Sequence, residues 1–180
     1  MCRCWRSVVF QSPLRLNLQL LCTPTTRARN TLDIWPPLPL IIRDNRAFGD
    51  EATGLDNIIA ALEHNDRVRQ IDLDCFSGPE WEYVMYSEAM QKPFPELVYL
   101  RLRTYVSGPI VPDSFLGGTA PRLRSLHLKF VPFPGLTKLL LSATHLARLD
   151  LCYIPRSGYI PPEAMATPPF CVNLPRGPSS

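Results

Sequence analysis

Leu97-Val-Tyr-Leu100-Arg-Leu102 and Leu123-Arg-Ser-Leu126-His-Leu128 are two copies of one short pattern, apolar-x-x-apolar-x-Leu. Two further copies flank them: Val68-Arg-Gln-Ile71-Asp-Leu73 before, and Leu146-Ala-Arg-Leu149-Asp-Leu151 after. The copies start at 68, 97, 123 and 146, so they lie 29, 26 and 23 residues apart. Four in-register copies at such intervals make an internal repeat, and a repeat constrains the whole fold before any single element does. Each copy ends in strict alternation, with Ile71/Leu73, Leu100/Leu102, Leu126/Leu128 and Leu149/Leu151 all pointing one way. A strand sends successive side chains to opposite faces, so the pattern predicts four strands with one buried face each.

Working outward, the segments between copies must cross back to begin the next parallel strand. Leu55, Ile58, Ile59 and Leu62 stand at i, i+3, i+4 and i+7, the spacing of one helix face. Pro79 suits a first helical position, and Trp81, Val84, Met85 and Ala89 follow as an apolar stripe that ends before Pro93. Pro112-Asp-Ser-Phe-Leu-Gly-Gly118 reads as one helical turn closed by Gly117 and Gly118. Leu136 to Ala143 reads as a short helix. Two earlier strands are expected, within Leu14–Leu20 and Leu38–Ile42, the second demoted toward an edge by Pro39. Residues 22–33 and 43–54 read as loops. The period falls in the 20–29 range of leucine-rich repeats. The expected fold is therefore an α/β leucine-rich-repeat solenoid, with parallel strands on the concave face and short helices on the convex face.

Composition agrees with many short elements. Twenty prolines in 180 residues is about double the ordinary usage of roughly 5%. The net charge of +3 is uneven: residues 1–46 hold seven arginines against Asp33 and Asp44. That leader reads as a solvated segment, since no Lys/Arg block with interleaved aromatics follows to suggest nucleic acid. No apolar run approaches the roughly 18 residues of a membrane span. Arg3, Arg6 and Arg15 interrupt any secretory h-region. The expectation is an intracellular protein, cytoplasmic or nuclear, with its six cysteines as free thiols, and with neither nucleic acid nor membrane as partner.

Candidate chemistry is sparse. His64, His127 and His145 have no metal-ligand spacing, and Cys2-x-Cys4 is not a C-x-x-C pair. Cys75 and Cys152 each fall just past a strand leucine, with no partner base in view. Gly117-Gly118 lacks the Lys-Ser/Thr of a phosphate loop. No catalytic residue, metal or cofactor is expected, and the chain reads as a non-enzyme. The best functional candidate is the outward strand face, read by parity: Asp72 and Asp74, then Tyr99, Arg101 and Arg103, then His127 and Lys129, then Arg148 and Asp150. With neighbouring strands in register, Asp72 faces Arg101 and Asp74 faces Arg103. Such cross-strand pairs are commonly wet and worth about 0.2–1 kcal/mol each. As a binding surface, the same residues form a charged platform bearing tyrosine, and Arg and Tyr are common at interface hot spots.

Longer phrases carry a resemblance. Cys4-Trp-Arg-Ser-Val-Val-Phe10, Leu32-Asp-Ile-Trp-Pro-Pro-Leu-Pro-Leu-Ile41, Ile110-Val-Pro-Asp-Ser-Phe-Leu-Gly-Gly118 and Pro132-Phe-Pro-Gly-Leu-Thr-Lys-Leu-Leu-Leu-Ser-Ala-Thr-His-Leu146 are among them. Across about residues 2–166 the chain resembles the F-box and leucine-rich-repeat-like proteins. The resemblance implies the substrate-recognition subunit of an SCF-type ubiquitin ligase, with an F-box that docks a Skp adaptor and cullin, and repeats that hold an unknown target protein. It implies residues 1–12 as the last helix of an F-box, 13–166 as the repeat domain, and 167–180 as a disordered Pro-rich tail. With only that last F-box helix retained, the chain is expected to be truncated and to lose adaptor docking. Three classes stay open: the target-binding module, a free-standing scaffold or non-functional fragment without adaptor binding, and an enzyme.

Overall fold

The structure is a computed structural model and describes residues 18–34, 36–45, 54–76, 79–104 and 110–155. Among the described residues, six strands form one sheet: β1 (Leu20–Cys22), β2 (Leu40–Asn45), β3 (Val68–Phe76), β4 (Tyr99–Thr104), β5 (Ser125–Lys129) and β6 (Arg148–Cys152). Their order in space is their order in the chain, and every neighbouring pair is parallel. Five α-helices among the described residues occupy the crossovers: α1 (Ala28–Leu32), α2 (Leu55–Leu62), α3 (Pro79–Met85), α4 (Glu88–Gln91) and α5 (Leu136–Ser142). A 3₁₀ turn at Phe115–Gly118 serves the link from β4 to β5. The molecule is therefore α/β with an all-parallel sheet and short helices.

Register lines the apolar residues into rows. Ile42, Ile71, Leu100, Leu126 and Leu149 are successive partners from β2 to β6. A second row runs Leu73, Leu102, Leu128 and Leu151. All these side chains belong to, or pack against, one cluster that also holds Ala28, Ile58, Met90, Phe115 and Leu139 from the crossovers. The helices thus cover the leucine face. Phe115 meets Phe133 edge-on, with ring centroids 5.4 Å apart, a favoured aromatic geometry. Leu151 is half-buried, unlike its row partners, because it lies on the last described strand and packs on one side.

Several expectations need adjustment. Residues 22–33 are not all loop: α1 forms there because Ala28 and Leu32, one turn apart, both reach the core. Strand β2 extends to Asn45, and it is not an edge. Pro39 stands just before the strand, where its missing N–H is not needed, and its carbonyl accepts from the Leu20 amide at 2.9 Å. The expected helix from Pro79 is two helices. Ser87 breaks it: its hydroxyl donates to the Val84 carbonyl at 2.7 Å and accepts from the Met90 amide, capping α4. In α2, Leu55, Ile58 and Leu62 are buried as read, while Ile59 is half-buried and Ala61 takes the inner place. Gly54 leads into α2 at φ +84, and a Cβ there would sit 2.1 Å from the Pro24 carbonyl oxygen. Only glycine fits both the backbone angle and the approach.

The F-box remnant expected at 1–12, the tail expected at 167–180, both expected domain boundaries and residues 14–17 lie outside the described residues. No helix among the described residues is long and apolar enough to cross a membrane. Among them, Cys22 and Cys152 carry free thiols.

Candidate functional site

The face opposite the leucines is built by strand parity. On β4 and β5 the burial pattern alternates, with Tyr99, Arg101, Arg103, Ser125, His127 and Lys129 at the half-buried positions. Parallel register then stacks Tyr99 beside Ser125 and Arg148, and Arg101 beside His127 and Asp150. Tyr99, Arg101, Arg103, His127, Lys129, Arg148, Asp150 and Cys152 line one open concavity of about 420 Å³. Seven of the nine residues read from the sequence as candidates are therefore brought together there. Asp72 and Asp74 are the exceptions and flank it on β3.

Those two carboxylates behave differently from the expected wet pairs. Asp72 is 5% exposed and Asp74 7%. Arg101 Nε donates to Asp72 Oδ1 at 2.6 Å, and Arg103 Nε donates to Asp74 Oδ1 at 3.1 Å. Arg101 also reaches toward Asp74, at 3.9 Å, and Arg43 on β2 lies 3.7 Å from Asp72 on the other flank. The long arginine stems fold over the acids and shield them from water. The pairing follows the sequence reading, but the face presents guanidinium groups and keeps the carboxylates beneath them. Arg43 falls in a segment read as loop, so parity offered no way to include it.

At the other end, Asp150 is the hub. The Cys152 thiol donates to its Oδ1 at 3.2 Å, and His127 Nδ1 lies 3.3 Å from its Oδ2. The thiol hydrogen bond, with His127 beside it, holds the Asp150 carboxyl below its ordinary value of 3.8. Burial pushes the Cys152 thiol up, and the neighbouring Asp150 carboxylate pushes it further. That is the opposite of what activates a nucleophilic cysteine. The Tyr99 and His127 rings lie 5.4 Å apart and tilted by 40°. No group of three or more His, Cys, Asp or Glu residues among the described residues is placed to hold a metal ion.

No family model, curated protein or solved structure matches the chain.

The rim of the concavity holds residues the sequence reading missed. Phe130 and Tyr153 stack with centroids 5.0 Å apart and planes within 9°. Both have left-handed backbone angles, φ +57 and +52. The signal was present: each is an aromatic two residues after the last strand leucine of its repeat, Leu128 and Leu151.

Proposed function

We propose that the chain is a leucine-rich-repeat solenoid that binds a target protein on its concave parallel sheet, akin to the substrate-receptor subunits of SCF-type ubiquitin ligases. One observation carries the reading. An all-parallel sheet normally has helices on both faces and reads apolar throughout. Here the described helices share the leucine cluster, while the other face carries Tyr99, Arg101, Arg103, His127, Lys129, Arg148 and Asp150 around a concavity. Stacked repeats with strands inside and helices outside produce that asymmetry and use the inner surface for binding. The sequential strand order also supports repeat stacking. The arginines and tyrosine supply anchors of the kind that dominate protein interfaces. The ligase assignment rests on the sequence resemblance alone.

Photocrosslinking in cells tests the binding surface. A benzophenone amino acid replaces Tyr99 in one variant and Tyr83, on α3, in another. Discrete protein adducts from position 99 but not 83 are expected. Adducts from 83 alone, or from neither, contradict the reading. Co-purification with a Skp adaptor then separates ligase receptor from free-standing scaffold: adaptor recovered with the full chain supports the first, and adducts at 99 without adaptor support the second.

A further inference from the structure

We infer that the segment held by this surface is an acidic peptide stretch carrying an apolar residue, seated over β4–β6 and not over β3. The inference rests on the protein-binding reading above and adds the chemistry of the partner.

Charge accounting along the sheet gives the first argument. Beside β3 the cations of the polar face share two acids: Arg101 and Arg43 serve Asp72, and Arg103 serves Asp74. At β5 and β6 the balance reverses. Among the described residues, Asp150 is the one carboxylate lining the concavity, and Cys152 and His127 already engage it. Among the described residues, no carboxylate lies within ion-pairing distance of Lys129 or Arg148. Lys129 and Arg148, the latter with only a longer-range attraction to Asp150, therefore face the same open space without a close ion pair, beside the guanidinium groups of Arg101 and Arg103. A concave surface with an excess of one sign of charge gathers ligands of the other.

The stacked rings give the second argument, independent of charge. Non-glycine residues rarely adopt positive φ, and such strain persists where the surrounding contacts hold it. Phe130 and Tyr153 both adopt it and so stand face to face beside the concavity. Tyr153 is 72% exposed. The Lys129 ammonium lies 5.8 Å from each ring centroid, within cation–π reach. An apolar side chain laid on Tyr153 thus places a neighbouring carboxylate against Lys129, while Arg148, four residues from Cys152 along β6, meets a second acid farther along the segment. A single-stranded nucleic acid shares the negative charge and the stacking, but it needs a continuous cationic track. The partly exposed Asp150 carboxylate interrupts one over β5 and β6.

A displayed library of random peptides, selected on the full chain, tests this, with affinities then measured by fluorescence anisotropy. The expected winners carry net negative charge and a Leu, Phe or Trp. Lys129→Glu with Arg148→Glu weakens the best peptide by about tenfold, and Tyr153→Ala weakens it too. Arg122→Glu, paired with Glu96 away from this face, leaves it unchanged. If circular dichroism shows the charge-reversed pair unfolded, Lys129→Ala with Arg148→Ala gives the same reading. Winners without charge bias, or basic winners, overturn the inference and leave the protein-binding surface standing. No winners of any composition overturn both. Tighter binding of a single-stranded oligothymidylate than of the best peptide also overturns the inference.

Discussion

Replacing Leu126 by Ala is the sharpest probe of the leucine rows. Leu126 is fully buried and has a register partner on each side, Leu100 on β4 and Leu149 on β6. Truncating a buried leucine costs about 2–5 kcal/mol, more where the site cannot collapse. Two flanking strands hold this site open, which places Leu126→Ala at about 3–4 kcal/mol. Leu151→Ala is the internal control. Leu151 is half-buried and packs on one described strand, so its truncation should cost about 1–2 kcal/mol. Because a domain has only about 5–15 kcal/mol of stability in total, the difference is easily resolved. Urea unfolding followed by far-UV circular dichroism measures both, with midpoint and slope reported separately. Equal costs, or a larger cost at Leu151, would refute the continuous row.

Three further outcomes follow from the same coordinates. Gly54→Ala should destabilise by about 2–4 kcal/mol or prevent folding, since a Cβ meets the Pro24 carbonyl and the φ is positive; a thermal melt unchanged from wild type contradicts this. A double-mutant cycle on Asp72→Asn and Arg101→Gln should give a coupling of about 1–2 kcal/mol, above the exposed-pair range, because Asp72 is buried and Arg101 is only partly so; coupling near zero contradicts the shielded pair. Asp150, with its carboxyl held low, stabilises the fold fully above its ordinary value of 3.8, and that contribution is lost as pH falls through its lower folded value. Asp150→Asn should remove this part of the acid dependence and bring the Cys152 pKa down, read as thiol alkylation rate against pH.

Much of the fold was legible because period-two alternation is a local signal. Ile71/Leu73, Leu100/Leu102, Leu126/Leu128 and Leu149 needed no tertiary information to be assigned a buried face, and the outward residues followed by parity. What failed depended on neighbours. The α1 helix has no side-chain cap hydrogen bond and exists because Ala28 and Leu32 find the core. Ser87 broke a continuous apolar stripe by capping a new helix. Pro39 was read as a mark of an edge strand, yet it sits one residue ahead of a central one. The acids at 72 and 74 were assigned the right partners but the wrong environment, since parity gives direction and not how far an arginine stem folds over its neighbour. The matched positions of Phe130 and Tyr153 were visible in the spacing, but their stacking was not, because it depends on backbone angles that spacing does not fix.

The claim beneath all of this is that successive leucine-bearing segments lie side by side and run the same way. Backbone nuclear Overhauser contacts in the isotopically labelled chain measure it directly. Amide-to-Hα contacts joining Tyr99–Leu102 with Ser125–Leu128, and these with Arg148–Leu151, all in the parallel sense, are the predicted result. Contacts joining these segments in the antiparallel sense, or no contacts between them, would contradict the account.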